Sequence, residues 1–232
     1  MLSIYDPARP EDLVSVMNGS LKKARPSFVL TFDDGFESHG TYIAEYLKQK
    51  NIKGWFFVPT EAPQIPEKEQ HQWAIDHNVI RENESVEVNG RIFASWGTWK
   101  KCAEYHEIGS HTHTHLRFKP EINSSEVQSQ LSRSYQKLQE IFREDNLNKV
   151  FCWVGGEQSS YSTHAATVIR EMGTDLAFTT CSMPVHRKTN PLRIERTNIE
   201  SHFPLHRLKM AAAGGVDIRY VVKRRKLDAC FD

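Results

Sequence analysis

Two carboxylates stand side by side at Asp33 and Asp34, after the apolar run FVLTF (28–32) and before Gly35. Buried charge is costly unless paired or bound to a cation, and adjacent like charges repel. A positive partner is therefore expected near them. Further along, the segment EIGSHTHTHLRF (107–118) alternates three imidazoles, His111, His113 and His115. An extended chain aims all three to one side. A helical turn instead aligns His111 with His115 at i and i+4 and turns His113 away. Either geometry lets His111 and His115 share a cation, and one carboxylate completes a three-ligand site with positions open to water. Imidazole suits zinc and other late first-row metals. Such a metal lowers the pKa of a bound water from ~15.7 to about 7, and a neighbouring carboxylate that does not ligate can take that water's proton.

The elements around these residues must bring them together. FVLTF (28–32) reads as a buried strand, followed by a helix over 38–51 with Ile43, Tyr46 and Leu47 at helical spacing and Ser38 as a cap. GWFFVPT (54–60) is a second strand, ended by Pro59. A polar excursion at about 61–95 interrupts the alternation, and its Asn89-Gly90 between apolar alternations signals a hairpin. A helix over 96–107 and a strand over 108–112 resume it. Val127, Leu131, Tyr135, Leu138 and Phe142, at steps of three and four, mark the clearest helix of the chain, over 123–145. Strands are expected at 149–154, 175–180 and 192–199, a helix over 163–173 closed by Gly173, and a last strand at 216–223. Apolar runs separated by helices imply a mostly parallel sheet, and six or so units in one domain suggest a barrel-like α/β fold. In such folds chemistry collects at the C-terminal strand ends, where both motifs fall.

Composition narrows the classes. With 232 residues and 39% hydrophobic content the chain can bury a large single core, and we expect 1–232 to be one catalytic domain with an insertion at about 61–95. A net charge of +1 gives no global field for a nucleic-acid partner. The start MLSIYDPARPEDL lacks a signal peptide's basic start and apolar core, and no apolar run approaches the ~18 residues of a membrane span. Cys102, Cys152, Cys181 and Cys230 form no CxxC pair, so reduced thiols in a cytoplasmic protein are expected. The basic run VKRRK (222–226) reads as a solvated terminal face.

TFDDG (31–35) and SHTHTH (110–115), in that order and at strand ends, resemble the first two signatures of the polysaccharide deacetylases, the NodB-like carbohydrate esterases. The resemblance spans about 27–200 and implies a deformed (β/α) barrel and a divalent metal, commonly zinc. Carried over residue by residue, it makes Asp33 the general base and Asp34, His111 and His115 the metal ligands, with His113 a spacer. The implied reaction is hydrolysis of the N-acetyl group of an amino sugar, and a nucleotide- or lipid-linked precursor in surface-polysaccharide assembly is the expected substrate.

Later signatures depart from the family. Where relatives carry an Arg-rich segment and Pro-Tyr-Gly, this chain has FCWVGGEQSS (151–160), with no arginine there to orient Asp33. Gly155 offers a backbone N–H to an oxyanion, and Trp153, with Trp73, Trp96 and Trp99, offers an indole face to a sugar ring. The strand at 192–199 supplies Arg193 and Arg196, of which Arg193 is the candidate to steady base or substrate, and His202 further on is a candidate acid. These departures leave a rival: a catalytically degenerate, sugar-binding deacetylase scaffold. A dehalogenase-like phosphatase wants two Asp separated by one residue, which FDDG lacks. A two-His-one-carboxylate oxygenase places its first His and carboxylate close in sequence, unlike Asp34 and His111.

Overall fold

The computed structural model describes residues 5–21, 25–84, 90–142, 149–155, 158–200 and 202–231. Six parallel strands form one sheet in sequence order: β3 (Leu30–Phe32), β4 (Gly54–Val58), β5 (Glu107–Ser110), β6 (Val150–Cys152), β7 (Leu176–Thr179) and β8 (Ile194–Glu195). Ahead of them a short parallel pair, β1 (Asp6–Pro7) with β2 (Ser27–Phe28), leads into β3, and α1 (Pro10–Met17) lies between its two strands. The crossovers are helical: α2 (Ala44–Gln49), α4 (Trp96–Ala103), α5 (Ser124–Phe142) and α6 (Thr163–Glu171). Residues along each strand alternate between two cores. Leu30, Phe32, Phe56, Val58 and Ile108 pack outward with Leu47 and Trp99 of α2 and α4. Phe151 and Ala177 pack outward with Leu131 of α5 and Ile169 of α6. Trp55, Phe57, Val150, Cys152, Leu176, Phe178 and Ile194 point to the other side and fill the interior of the curl.

The curl is steep. On a flat sheet β4 and β7 would lie about 14 Å apart, yet the Trp55 and Phe57 rings sit 5.0 and 5.2 Å from Phe178 between centroids. Gly109 makes room for this interior: a Cβ there would lie 2.6 Å from the Phe57 ring and 3.1 Å from the Val150 carbonyl oxygen. Phe57 is fully buried against Phe178 and has no room to retreat. Gly109→Ala should therefore cost about 1–3 kcal/mol as an overpacked core, read as a lowered denaturant midpoint. An unchanged midpoint would show that the interior is looser than these contacts require.

Several expectations need correction. The segment at 216–223 is not a strand: Asp217–Tyr220 is a 3-10 turn leading into α8 (Val221–Phe231). Helical winding pairs the segment's backbone within itself and lets α8 pack on α6, so no strand is added beside β8. Its basic run is only partly solvated. Lys223 donates to the Thr180 carbonyl, and Arg224 donates to the carbonyls of Cys181, Ser182 and Asp217. β8 is two residues long rather than eight, and the helix expected over 38–51 opens with a π-turn at His39–Ile43. The excursion is ordered by a 3-10 turn (Ala62–Gln64) and by α3 (Glu67–Asp76), and the expected Asn89-Gly90 hairpin lies partly outside the described residues. Beyond β8 runs α7 (Leu205–Ala212). Among the described residues no helix is long and apolar enough to cross a membrane.

Candidate metal centre

Asp33 and Asp34 follow β3, and their backbones differ. Asp34 (φ 72°) and Gly35 (φ 71°) are both left-handed, a turn that swings the two carboxylates apart. A side chain at 35 would also meet Val58 Cγ1 at 3.2 Å.

The histidine segment follows β5. His111 N–H donates to the Val58 carbonyl (3.0 Å), extending the ladder by one residue. Thr112 (φ 65°) and His115 (φ 58°) then turn left-handed, a strained backbone that surrounding contacts must hold. Those contacts come from α5. Gln130 Oε1 accepts from the N–H groups of His113 (3.1 Å) and Thr114 (3.0 Å), and Ser134 bonds Ser110 through the hydroxyls (2.7 Å). Gln130 and Ser134 are polar side chains set within the apolar stripe of α5, a legible signal that this face holds a loop as well as a core.

The turn brings His111 and His115 to Asp34 and sends His113 elsewhere. Nε2 of His111 lies 3.3 Å, and Nε2 of His115 3.2 Å, from Asp34 Oδ1. His113 is buried with its Nδ1 2.9 Å from Thr60 Oγ1, beneath the insertion. Both rings facing Asp34 donate Nδ1–H to a main-chain carbonyl: His111 to Cys152 (2.9 Å) and His115 to His77 (2.7 Å). In the neutral tautomer so fixed, two bare Nε2 atoms and a carboxylate oxygen, all acceptors, face one point. Such a triad is satisfied by a cation between them. The donor atoms lie within 4.8 Å of one another, and bonds of about 2.0–2.1 Å in a tetrahedral shell imply edges of about 3.3 Å, so the residues fit a zinc-sized ion. Burial raises the Asp34 carboxyl. With no cation between them, protonation of His111 and His115 at Nε2 would turn both rings into donors, and their hydrogen bonds and charge would then outweigh burial and hold the Asp34 carboxyl far below the usual carboxylate range.

Asp33 has a separate partner. Arg196, just past β8, grips it with two bonds, Nη1 to Oδ1 (2.8 Å) and Nη2 to Oδ2 (2.7 Å). The same guanidinium donates to Thr31 Oγ1 (2.8 Å), the Thr179 carbonyl (3.2 Å) and Cys152 Sγ (2.9 Å). Burial alone would raise the Asp33 carboxyl; the charge and hydrogen bonds of Arg196 reverse this and hold it below its ordinary value of 3.8. On a flat sheet the ends of β3 and β8 would stand about 24 Å apart, so this pair closes the curl. The two adjacent carboxylates turn to different partners, Asp33 to Arg196 and Asp34 to the paired imidazoles.

The remaining candidates fall elsewhere. Arg193 is not beside Asp33. It pairs with Glu195 (2.9 Å) and with Asp228 of α8, clamping that helix to β8. Residues two apart on a strand share a face, so Glu195 already answers Arg193, and that parity left Arg196 as the arginine turned inward. Trp153 offers no face to a sugar: it is 1% exposed, with Phe118, Phe151 and Tyr161 around its ring. Trp99 is likewise buried, while Trp73 and Trp96 are partly exposed. Gly155, half-exposed just past β6, has φ 83°. His202 is exposed, its ring edge-on to Phe203. Cys102, Cys152 and Cys181 are free thiols.

The sequence profile of one family, polysaccharide deacetylase, matches residues 20–177. No curated protein matches the chain in sequence. Similar folds occur among solved structures. IcaB from Ammonifex degensii is 17% identical, with a TM-score of 0.66 over 90% of this chain and 82% of that one. The de-N-acetylase from Aggregatibacter actinomycetemcomitans is 16% identical, with a TM-score of 0.67 over 90% and 84%. The deacetylase PplD of Streptococcus pyogenes, in complex with acetate, is 14% identical, with a TM-score of 0.66 over 89% and 79%.

Proposed function

The chain belongs to the polysaccharide deacetylase family, and from that premise we propose that it is a catalytic unit removing the N-acetyl group of an amino sugar, with a divalent cation, zinc, held by Asp34, His111 and His115. The observation that carries this reading is the convergence of three acceptors on one point beside a carboxylate held ionised by Arg196. A cation bound there supplies a water made acidic and polarises an amide carbonyl. Asp33 takes the water's proton on whichever lone pair Arg196 leaves free, then carries that proton toward the departing amine. Arg196 keeps the carboxylate ionised and aimed, and the Gly155 N–H is the proposed donor to the developing oxyanion. Acetyl is proposed as the acyl group in line with the acetate held by PplD. A purely sugar-binding role is not favoured, because Asp33 and its tether are retained alongside the triad.

Protein purified without chelators should contain close to one zinc per chain. It should release acetate from at least one member of a panel of N-acetylated sugars, comprising oligosaccharides, peptidoglycan fragments and nucleotide- or lipid-linked precursors. A chelator should stop the release and added zinc restore it. Bound zinc with no acetate released from any panel member overturns the hydrolase reading and returns the binding scaffold.

A further inference from the structure

We propose that the insertion following β4 is a strap of the cation site: the His77 carbonyl fixes the His115 ring, and Gln70 and Trp73 are positioning residues that hold that carbonyl in place and so set how tightly the ion is kept. This rests on the cation reading above.

The two histidines of the triad are oriented by different parts of the chain. His111 leans on the carbonyl of Cys152, at the end of a barrel strand. His115, whose left-handed backbone gives it no ladder of its own, leans on the carbonyl of His77, the residue that caps α3. Carbonyls at a helix C-terminus lack an intrahelical partner, and the helix dipole is negative there, so an imidazole N–H and a cation beyond it are both favoured. Ligating imidazoles depend on such outer partners for tautomer and aim.

The insertion is built to hold this carbonyl still. Gln70, fully buried, accepts at Oε1 from the N–H groups of Ile92 (2.8 Å) and Phe93 (3.1 Å) and donates to the Ile65 carbonyl (3.0 Å), tying α3 to both ends of the segment. Trp73 stacks on the His77 ring at 4.1 Å, meets Phe93 edge-on and donates Nε1–H to Glu61 (3.1 Å). Glu61 N–H in turn donates to the His113 carbonyl (2.9 Å), so the strap grips the histidine segment at two points. Asn78, exposed and left-handed (φ 56°), sets the plane of the peptide that carries the His77 carbonyl. Glycine adopts that conformation freely, whereas a β-branched residue there is an outlier.

Position 78 therefore provides the test, read as the zinc dissociation constant in competition with a chromophoric chelator. Asn78→Gly should bind zinc within about twofold of wild type. Asn78→Val and Trp73→Ala should bind it about 10–100-fold more weakly. Should Asn78→Val fail to fold, Trp73→Ala decides alone. Lower thermal stability with unchanged zinc affinity marks a merely structural segment and overturns the strap. Absence of zinc binding by wild type removes the cation reading itself, and the strap with it.

Discussion

Asp33→Asn is expected to lower kcat by about 10²–10⁴-fold, the range for loss of a positioned acid–base group, while zinc content and KM stay close to wild type. The amide keeps the shape of the side chain and accepts one of the two bonds from Arg196, so the binding surface persists, but it cannot take a proton. A second effect accompanies the first. Arg196 is left charged and without its counter-ion, and breaking a buried pair costs about 3–5 kcal/mol. With the Asp33 side chain 28% exposed, the lower end applies. Zinc content, KM and the unfolding midpoint must therefore be measured beside the rate. Acetate release within tenfold of wild type would show that Asp33 is not the base.

Arg196→Gln tests the same contact from its other end and should change the pH profile as well as the rate. At neutral pH a fall in kcat/KM of about 10²-fold is expected from a base displaced by about 1 Å. In wild type Arg196 keeps the Asp33 carboxyl below 3.8, so it stays ionised throughout the neutral and mildly acidic range. Without the guanidinium, its charge and hydrogen bonds no longer offset burial and the neighbouring Asp34 charge, so the carboxyl moves up. The acid limb of kcat/KM should then move to higher pH. Stability follows with a definite sign. The depressed folded pKa of wild-type Asp33 contributes stability that is present above about 3.8 and lost as pH falls through the lower folded value. In the variant the folded pKa moves up toward the unfolded one, so that contribution shrinks. The double variant Asp33→Asn, Arg196→Gln should be less destabilised than the two single effects summed, because each already breaks the one contact. An acid limb unmoved in Arg196→Gln removes Arg196 from the mechanism.

Much of this was legible from short stretches. Strong periodicity placed α5 to within a few residues, and apolar runs marked where the six sheet strands lie. TFDDG and SHTHTH located the triad, because both depend on local residue types at strand ends. What escaped depends on pairing across the fold. The segment 216–223 alternates well enough to read as a strand, but in the fold it winds into a helix that packs on α6. Arg193 and Arg196 are equivalent by composition. Strand parity separates them, and the two-residue length of β8 hid that parity. Trp153 reads as a sugar platform until its neighbours Phe118, Phe151 and Tyr161 surround it. The helix of the insertion carries few apolar residues, and its fixed position comes from Gln70, a contact no pattern announces.

The span between Asp33 and Arg196, 163 positions of chain, also orders the birth of the centre on the ribosome. Asp34, His111 and His115 all precede the arginine in the chain, and the stretch that carries the family profile is finished at residue 177. The arginine arrives later, after every other group of the centre. On the proposed reading, a nascent polypeptide thus offers the three cation ligands before the arginine that secures its proton acceptor has been made.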